Sequence, residues 1–447
     1  MTVVSTSAEA SPVMGGDGRP CCEYRTLEDD SAVAKAEGGK ASFMAVTVNL
    51  TVAGLGAGIL STPWAMAGAS VVPSVITIVV VMLLNGITVM ILVRAAERCQ
   101  AFDLGALLRH IPGTHGRFVQ FVCNTFTFGS MMLCLSSYIV VIADSLQPFV
   151  LAGLGRAVVY EYDTWVFWWS VRAPLLGLGA LIVLPLCFLD QQHLSFSSTL
   201  GILVNILMLV IVFVIYGVRG TAEDVCILGW GRGTVTMFST MMQCAIIQMC
   251  VLPMYEELEG RTPRKFGAAV AISFTFLTML FSAFAGAAYL AFGPQVRANV
   301  IENFPWSTKG ALARLALVVA VAASYPLLLT SITAPVRHWE HSRLQGRIRM
   351  THVVTVMTVL ASAVFASVFS QLGPLNDING ALQIACFIGI IPGFSGIYFV
   401  DHTTRWWNAF MVVLMGFSVL ATIAGLVYRG NHPEALAQVC TWYATAS

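Results

Sequence analysis

The chain has 447 residues, of which 57% are hydrophobic and 11% are charged, and its formal net charge is +1. Soluble globular domains are about half apolar and about a quarter charged. The composition therefore excludes a soluble protein and indicates one embedded in a lipid bilayer, and the near-neutral charge gives no reason to expect a nucleic-acid partner.

The first segment, residues 1–40, is polar and rich in Gly, Ser, Ala and acidic residues. It cannot bury enough apolar surface to fold alone, so we predict a disordered cytoplasmic tail. No short apolar segment of the kind found in a cleavable signal peptide precedes the first long apolar stretch. We predict that the rest of the chain forms one membrane domain over 41–429 and a short extracytoplasmic tail over 430–447.

Long apolar stretches without charged residues recur along the membrane domain. A bilayer core of about 30 Å requires roughly 20 apolar residues per helix, and continuous apolar runs are typical of helices rather than of barrel strands. We therefore predict an all-α polytopic membrane protein with about eleven transmembrane helices. The predicted spans are 43–66, 72–93, 118–146, 173–189, 194–217, 234–254, 267–292, 311–334, 351–370, 380–400 and 406–428.

Lys and Arg residues predict the orientation, because they accumulate in cytoplasmic loops. With the N-terminus in the cytoplasm, sixteen of the 24 Lys and Arg residues lie inside and eight lie outside. Of the eleven cysteines, Cys226 and Cys440 fall on the predicted outer side. A disulfide between these two remains one alternative, since sequence does not show whether they are close in space.

The first span contains the segment NLTVAGLGAGILSTPWAM, residues 49–66. Gly54 and Gly58 have the GxxxG spacing that lets helices pack closely. Gly56 and Pro63 add to them, and this many helix-weakening residues favour a broken helix instead. A break in lipid leaves amides on one half-helix that suit a carboxylate and carbonyls on the other that suit a cation.

The sixth span, from residue 234 onward, is interrupted by Gln243, Gln248 and Pro253. Breaks in both the first and the sixth helix are the pattern of a 5+5 inverted repeat followed by an eleventh span. We expect the hinges of such a protein at 58–63 and near Pro253.

Several segments resemble the amino acid/auxin permease family, in particular its system A/N-like and vacuolar-type neutral amino acid transporters. The resemblance covers nearly all of residues 40–428 and implies eleven helices, a cytoplasmic N-terminus and the inverted-repeat core also found in sodium-coupled neurotransmitter transporters. The segments that carry it are VNLTVAGLGAGILSTPWAM, SSYIVVIADSLQP, VLPMYEELEGRTP, AAYLAFGPQVRANVIENF and ASYPLLLTSITAPVRH.

The resemblance also assigns a substrate site. It implies that the backbone of the broken segment in the first span lies against the carboxylate of the substrate and that a tyrosine of the third span faces the central cavity; packing of this tyrosine against its neighbours is the alternative. The two glutamines that interrupt the sixth span are further candidates for the site. The residues are Ala53, Gly54, Leu55, Gly56, Ala57, Gly58, Tyr138, Gln243 and Gln248.

The coupling ion is expected to be H⁺ or Na⁺, with the proton favoured. Sodium-coupled relatives have an asparagine in the first span where this chain has Val52, while Thr51 and Ser324 provide a candidate cation site. Family members often have a histidine where this chain has Gln248, which does not carry a proton. No resident metal or cofactor is expected.

Carboxylates that could carry a proton are scarce in the predicted spans. Those nearest are Asp144, Glu256 and Glu257, which we interpret as solvated charges near helix ends. No charged residue was identified at the middle of a span, so the expected substrate is a neutral L-amino acid.

The function that follows is secondary active transport by alternating access, in the plasma membrane or a vacuolar or lysosomal membrane. A sensor that binds the amino acid with little or no transport is the alternative. An enzyme is not expected, because the sequence has no HExxH, GxSxG or CxxC motif. The sequence gives no indication of an oligomeric state.

Overall fold

The computed structural model describes eight ranges of the chain. They are 41–112, 114–155, 168–188, 195–343, 350–369, 371–400, 404–430 and 433–444. The predicted N-terminal tail, 1–40, lies outside the described residues.

The described residues are almost entirely helical. The helices are α1 (Phe43–Ala53), α2 (Thr62–Ala69), α3 (Val71–Cys99), α4 (Leu104–Arg109), α5 (Thr114–Gly153), α6 (Ala173–Leu186), α7 (Ser195–Arg219), α8 (Gly233–Ala245), α9 (Gln248–Glu256), α10 (Pro263–Phe292), α11 (Thr308–Arg343), α12 (Met350–Val368), α13 (Leu372–Gln383), α14 (Ile391–Phe399), α15 (Arg405–Val427) and α16 (Pro433–Ala437). Three 3₁₀ helices (Ala57–Ser61, Gly293–Gln295, Val300–Asn303), two π-helical segments (Trp168–Arg172, Ile384–Ile390) and two strands, β1 (Cys226–Gly229) and β2 (Cys440–Tyr443), complete the fold.

The helices account for the predicted spans. Within the described ranges, nine helical segments are long and apolar enough to cross a bilayer, and α1 with Gly58–Ala69 forms a tenth span bent by 44°. The shorter apolar helix α6 lies where the fourth span is predicted. The prediction of an all-α polytopic membrane protein is confirmed.

The first span is interrupted earlier than its proline suggests. Helix α1 ends at Ala53, and the Gly54 and Leu55 amides close its last turns. A 3₁₀ helix then leads into α2, where Pro63 occupies the first turn, a position at which a missing N–H breaks no helical hydrogen bond. The break therefore lies at residues 54–56, before the expected hinge at 58–63.

The sixth span is broken at Ile246 and Ile247, not near Pro253 as predicted. Helix α8 ends at Ala245, and Ile246 is extended with φ −78° and ψ 115°. Pro253 lies inside α9, where it removes the single hydrogen bond that its N–H would have donated. The position of the expected second hinge is corrected accordingly.

The tenth span begins at Leu372, eight residues before the predicted start at 380. The polar residues Asn376, Asp377 and Asn379 therefore lie inside the span, and all three are fully buried. The sequence prediction missed a buried carboxyl group here, because the charged residue lay outside the window chosen for the span.

Asp144 is also buried, which contradicts its interpretation as a solvated interfacial charge. Its side chain is 1% exposed and forms an ion pair with the fully buried Arg172 at 2.5 Å. The other carboxylate oxygen accepts a hydrogen bond from Asn299 at 2.8 Å. By contrast, Glu256 and Glu257 at the end of α9 are exposed, as expected.

Both predicted outer cysteines meet in a small sheet. Strands β1 and β2 pair antiparallel, and a disulfide links Cys226 to Cys440 across a Cα–Cα distance of 5.9 Å. This resolves the alternative left open by the sequence. The disulfide thus links the described part of the C-terminal tail covalently to the loop that precedes the sixth span.

Candidate functional site

The breaks of the first and sixth spans lie side by side. A Cβ placed on Gly58 would lie 2.7 Å from the Cys244 Sγ and 3.5 Å from the Cys244 Cα, near the end of α8. A Cβ on Gly54 would lie 2.5 Å from the Cδ1 of Leu277 on α10. The two glycines of the GxxxG pair therefore serve close packing, as well as flanking the break.

Two amides are unpaired at the first break. Within the described ranges, the N–H groups of Gly56 and Gly58 donate to no backbone or side-chain acceptor. They precede the 3₁₀ helix and α2, whose peptide dipoles place partial positive charge at this end. This arrangement can bind a carboxylate.

A carbonyl oxygen is unpaired on the other side of the same break. Because the Gly54 amide bonds to the Leu50 carbonyl and the Leu55 amide bonds to the Val52 carbonyl, the Thr51 carbonyl accepts no backbone hydrogen bond in the described part of the chain. It lies with the Ala53 carbonyl at the C-terminal, partially negative end of α1. This end of the break suits an ammonium group or a cation.

Tyr138 of α5 lies against the first break. Its hydroxyl lies 3.7 Å from the position that a Cβ on Gly56 would occupy, and the side chain is 7% exposed. The ring packs edge-on against Tyr325 of α11, which in turn hydrogen-bonds Ser362 at 2.7 Å. Aromatic packing thus fixes the direction of the Tyr138 hydroxyl.

Gln243 precedes Cys244 and is buried beside the same contact. Its Oε1 atom has no hydrogen-bond partner among the described residues. A Cβ on Gly380 of α13 would lie 3.1 Å from the Gln243 backbone nitrogen, so α8 and α13 approach each other closely here. Gln243 therefore lies where α8 packs against α13, with a buried acceptor atom that is unpaired among the described residues.

Gln248 differs from Gln243 because its side chain is fully hydrogen-bonded within the protein. Its Nε2 donates to the Asn85 Oδ1 at 2.8 Å and to the Thr88 Oγ1 at 3.0 Å. Its Oε1 accepts from the Ile247 amide at 3.1 Å. The side chain therefore joins the sixth span to α3 and satisfies an amide at the second break.

The two hydroxyls of the candidate cation site bond to their own helices. Thr51 donates to the Thr47 carbonyl at 2.9 Å, and Ser324 donates to the Ala320 carbonyl at 2.8 Å. A Cβ on Gly201 would lie 3.9 Å from the Ser324 hydroxyl, which therefore faces α7. In the ranges that the structure describes, no group of three His, Cys, Asp or Glu residues could hold a metal ion.

The structure contains a polar cluster near the site that the sequence analysis did not predict. Asn376 of α13 donates to the Ser61 Oγ at 2.9 Å and accepts from the Ser137 Oγ at 2.9 Å. It connects the first, third and tenth spans one turn beyond Gly58. The sequence signal was the polar run NDIN at 376–379, which lies before the predicted tenth span.

Two helices of this multi-pass bundle are interrupted next to each other, and polar backbone groups at the breaks are unpaired in its interior. This arrangement is typical of the class of secondary transporters. A family model described as transmembrane amino acid transporter protein matches residues 39–428. The chain belongs to this family. Family membership agrees with the resemblance seen in the sequence and with the expectation that the protein is not an enzyme.

Relatives in other organisms are similar over nearly their whole length. The Arabidopsis thaliana protein named amino acid transporter AVT6E is 20% identical over 92% of this chain and 89% of its own. Sodium-coupled neutral amino acid transporter 7 of Xenopus laevis is 25% identical over 85% and 86%. Vacuolar amino acid transporter 2 of Saccharomyces cerevisiae is 21% identical over 88% and 84%.

Solved structures share the fold. A crystal structure of MhsT in complex with L-phenylalanine matches with a TM-score of 0.51 and 12% identity, covering 86% of this chain and 98% of that one. The inward-facing conformation of Mhp1 matches with a TM-score of 0.53 and 12% identity, covering 88% and 89%. The predicted inverted repeat with broken first and sixth helices is confirmed by this likeness.

Proposed function

We propose that this chain is a secondary active transporter that moves neutral L-amino acids across a membrane by alternating access. The observation that carries the proposal is the presence of unpaired amides on Gly56 and Gly58 at the first break. A zwitterionic amino acid has one carboxylate, and amides at the start of a half-helix bind a carboxylate without a charged side chain.

The substrate side chain is proposed to be neutral because the residues around the break are uncharged. Tyr138 lies beside Gly56 and Cys244 beside Gly58, and among the described residues no charged side chain is one of the nearest neighbours of the Cβ positions of these two glycines. A charged substrate side chain would lie unpaired in a site of low dielectric constant, at a large energetic cost. The names of the neutral amino acid transporters among the relatives support this choice.

The carbonyls of Thr51 and Ala53 are proposed to face the ammonium group of the substrate or a coupling cation. Their position at the negative end of α1, across the break from the amides, matches the separation of charge in a zwitterion. Coupling to H⁺ or Na⁺ is part of the proposal, with the proton favoured.

Alternating access is proposed to involve independent tilting of the half-helices. The helical hydrogen-bond ladder is interrupted at 54–56 and again at Ile246 and Ile247, so the two halves of each span can change their angle without breaking further ladder bonds. The helices that surround them form the scaffold.

The N-terminus is proposed to be cytoplasmic, because Lys and Arg residues are twice as frequent in the loops on that side. The membrane is proposed to be the plasma membrane or a vacuolar or lysosomal one, since a yeast relative is named a vacuolar transporter. Exposed apolar side chains such as Leu83, Leu203 and Leu420 are proposed to contact lipid.

Counterflow in proteoliposomes tests the function without requiring a known coupling ion. Vesicles preloaded with an unlabelled neutral amino acid should accumulate the labelled form from outside, whereas labelled lysine, glutamate and the amide of the same neutral amino acid should not exchange. Binding of the neutral amino acid to the purified protein without exchange would favour a sensor and contradict transport.

A further inference from the structure

Asp377, in the second turn of α13, is a buried carboxyl group without a basic partner. The residue has no exposed surface and lies inside the tenth span, Leu372–Phe399. Its Oδ2 accepts a hydrogen bond from the Gly430 amide at 3.0 Å, while its Oδ1 has no hydrogen-bond partner in the described part of the chain. Within the described ranges it forms no ion pair.

The elements packed against α13 supply little charge to Asp377. They are α2, α5, α8, α15 and the segments Ala57–Ser61 and Ile384–Ile390. Neither α2, α8 nor those two segments contains a charged residue, and α15 contains Arg405 at its far end. The charged residues of α5 lie near its ends. The first charged residue after α15 is Arg429, whose exposed side chain interacts electrostatically with the Asp377 carboxyl group. The titratable groups on and next to these elements are Arg117, Cys134, Tyr138, Asp144, Cys244, Cys386, Tyr428 and Arg429.

Asp144 and Asp377 are both buried, but they differ in the number of their partners. Asp144 has a buried arginine at 2.5 Å and an asparagine at 2.8 Å. Asp377 accepts a hydrogen bond from one backbone amide, and the hydroxyl of Ser239 on α8 also interacts with it. An ionised carboxylate with so few partners is costly to bury, whereas the neutral form is not, and ionisable groups at such positions are commonly functional.

Polar atoms without a hydrogen-bond partner among the described residues also lie on α8. They include the Ser239 Oγ and, one turn nearer the sixth break, the Gln243 Oε1. Helices α8 and α13 are packed so closely that a Cβ on Gly380 would overlap the Ser239 carbonyl. Separation of these helices would therefore bring water to the carboxyl group and to the Ser239 hydroxyl together.

We propose that Asp377 is the residue that binds the coupled proton, an assignment that rests on the proposed transport function. With α8 packed against α13, the carboxyl group is neutral and holds the proton. When the two helices separate, water stabilises the carboxylate and the proton exchanges with the solution. Packing of these helices is thus linked to uptake of one proton.

Asp377→Asn tests the assignment, because asparagine keeps an oxygen for the Gly430 amide and imitates the neutral acid. In proteoliposomes with a one-unit pH gradient, acid on the side of entry, the wild type should accumulate a neutral amino acid up to about tenfold. The variant should lose this accumulation while counterflow at equal pH stays within about threefold of the wild-type rate. Glu223→Gln, which neutralises an exposed carboxylate before β1, is the matched control and should behave as wild type.

A direct proton measurement covers the case in which Asp377→Asn does not fold. In weakly buffered detergent solution, a pH indicator should report uptake of about one proton per wild-type molecule when the amino acid binds. Ser239→Ala, which leaves the acid in place, should shift the pH dependence of that uptake. Substrate-induced thermal stabilisation would show that each variant is folded.

Three results would overturn the assignment: proton-driven accumulation by Asp377→Asn, accumulation by the wild type that follows a sodium gradient and ignores pH, or substrate binding by the wild type without proton uptake. Absence of counterflow in the wild type would instead contradict the proposed transport function. The two failures are therefore distinguishable.

Discussion

The first and sixth spans are both interrupted, yet the polar atoms at the two interruptions have different partners. At the first break, the amides of Gly56 and Gly58 have no acceptor among the described residues. At the sixth, Gln248 accepts from the Ile247 amide and holds the break against α3. The first break therefore leaves amides available to a ligand, whereas Gln248 satisfies an amide of the sixth break and connects that break to α3.

The largest effect is expected from Gly56→Leu. A leucine side chain would cover the amides at the first break and reach the Tyr138 hydroxyl, 3.7 Å from the new Cβ. Counterflow should fall by on the order of 100-fold or more, because displacement of a ligand by about 1 Å has costs of this size. Gly177→Leu on α6, where a new Cβ meets nothing within 4 Å, is the matched control and should retain exchange. Equal exchange by both variants would remove the first break from the binding site.

Gly58→Ala probes the close approach of the two breaks. The new methyl group would lie 2.7 Å from the Cys244 Sγ, and overpacking of this kind costs about 1–3 kcal/mol. We expect a lower unfolding temperature in detergent and recovery of most of the loss when Cys244→Ala is added. A double variant no more stable than Gly58→Ala would argue against contact between the breaks.

Gln248→Ala tests the structural role of the second break. It leaves the Ile247 amide and the Asn85 amide oxygen without their partner, which costs about 1–3 kcal/mol of folding free energy. Thermal unfolding should therefore occur at lower temperature, while the ranking of neutral amino acids in counterflow should stay the same. An altered ranking with unchanged stability would instead make Gln248 a residue of the binding site.

The smallest effect is expected from Tyr138→Phe. Loss of one hydroxyl beside Gly56 removes about 0.5–1.5 kcal/mol of binding, so KM should rise roughly three- to tenfold. Edge-on packing against Tyr325 should persist, since the ring is retained. Initial counterflow rates across a range of substrate concentrations give KM; a value within error of wild type would assign the hydroxyl to the scaffold.

The sequence predicted the first break because its cause is local. Glycines without side chains weaken the helix over 54–58, and a proline restarts it at Pro63. The sixth break has no such signal at Ile246 and Ile247. There the interruption depends on packing against α13 and on a side-chain acceptor, and both come from tertiary structure.

The two buried acids were misjudged for related reasons. Asp144 is balanced by Arg172, 28 residues away, and a pairing at that distance is not visible in local sequence. Asp377 lies at the polar start of an otherwise apolar span, so a window that follows hydropathy excludes it. Likewise, the disulfide between residues 214 positions apart required the fold to bring them together.

A high-resolution electron cryomicroscopy structure with a bound neutral amino acid tests the central claim most directly. The account predicts that the substrate carboxylate lies within about 3 Å of the amide nitrogens of Gly56, Ala57 and Gly58. A substrate bound elsewhere, or a carboxylate paired with a lysine or arginine side chain, would contradict it.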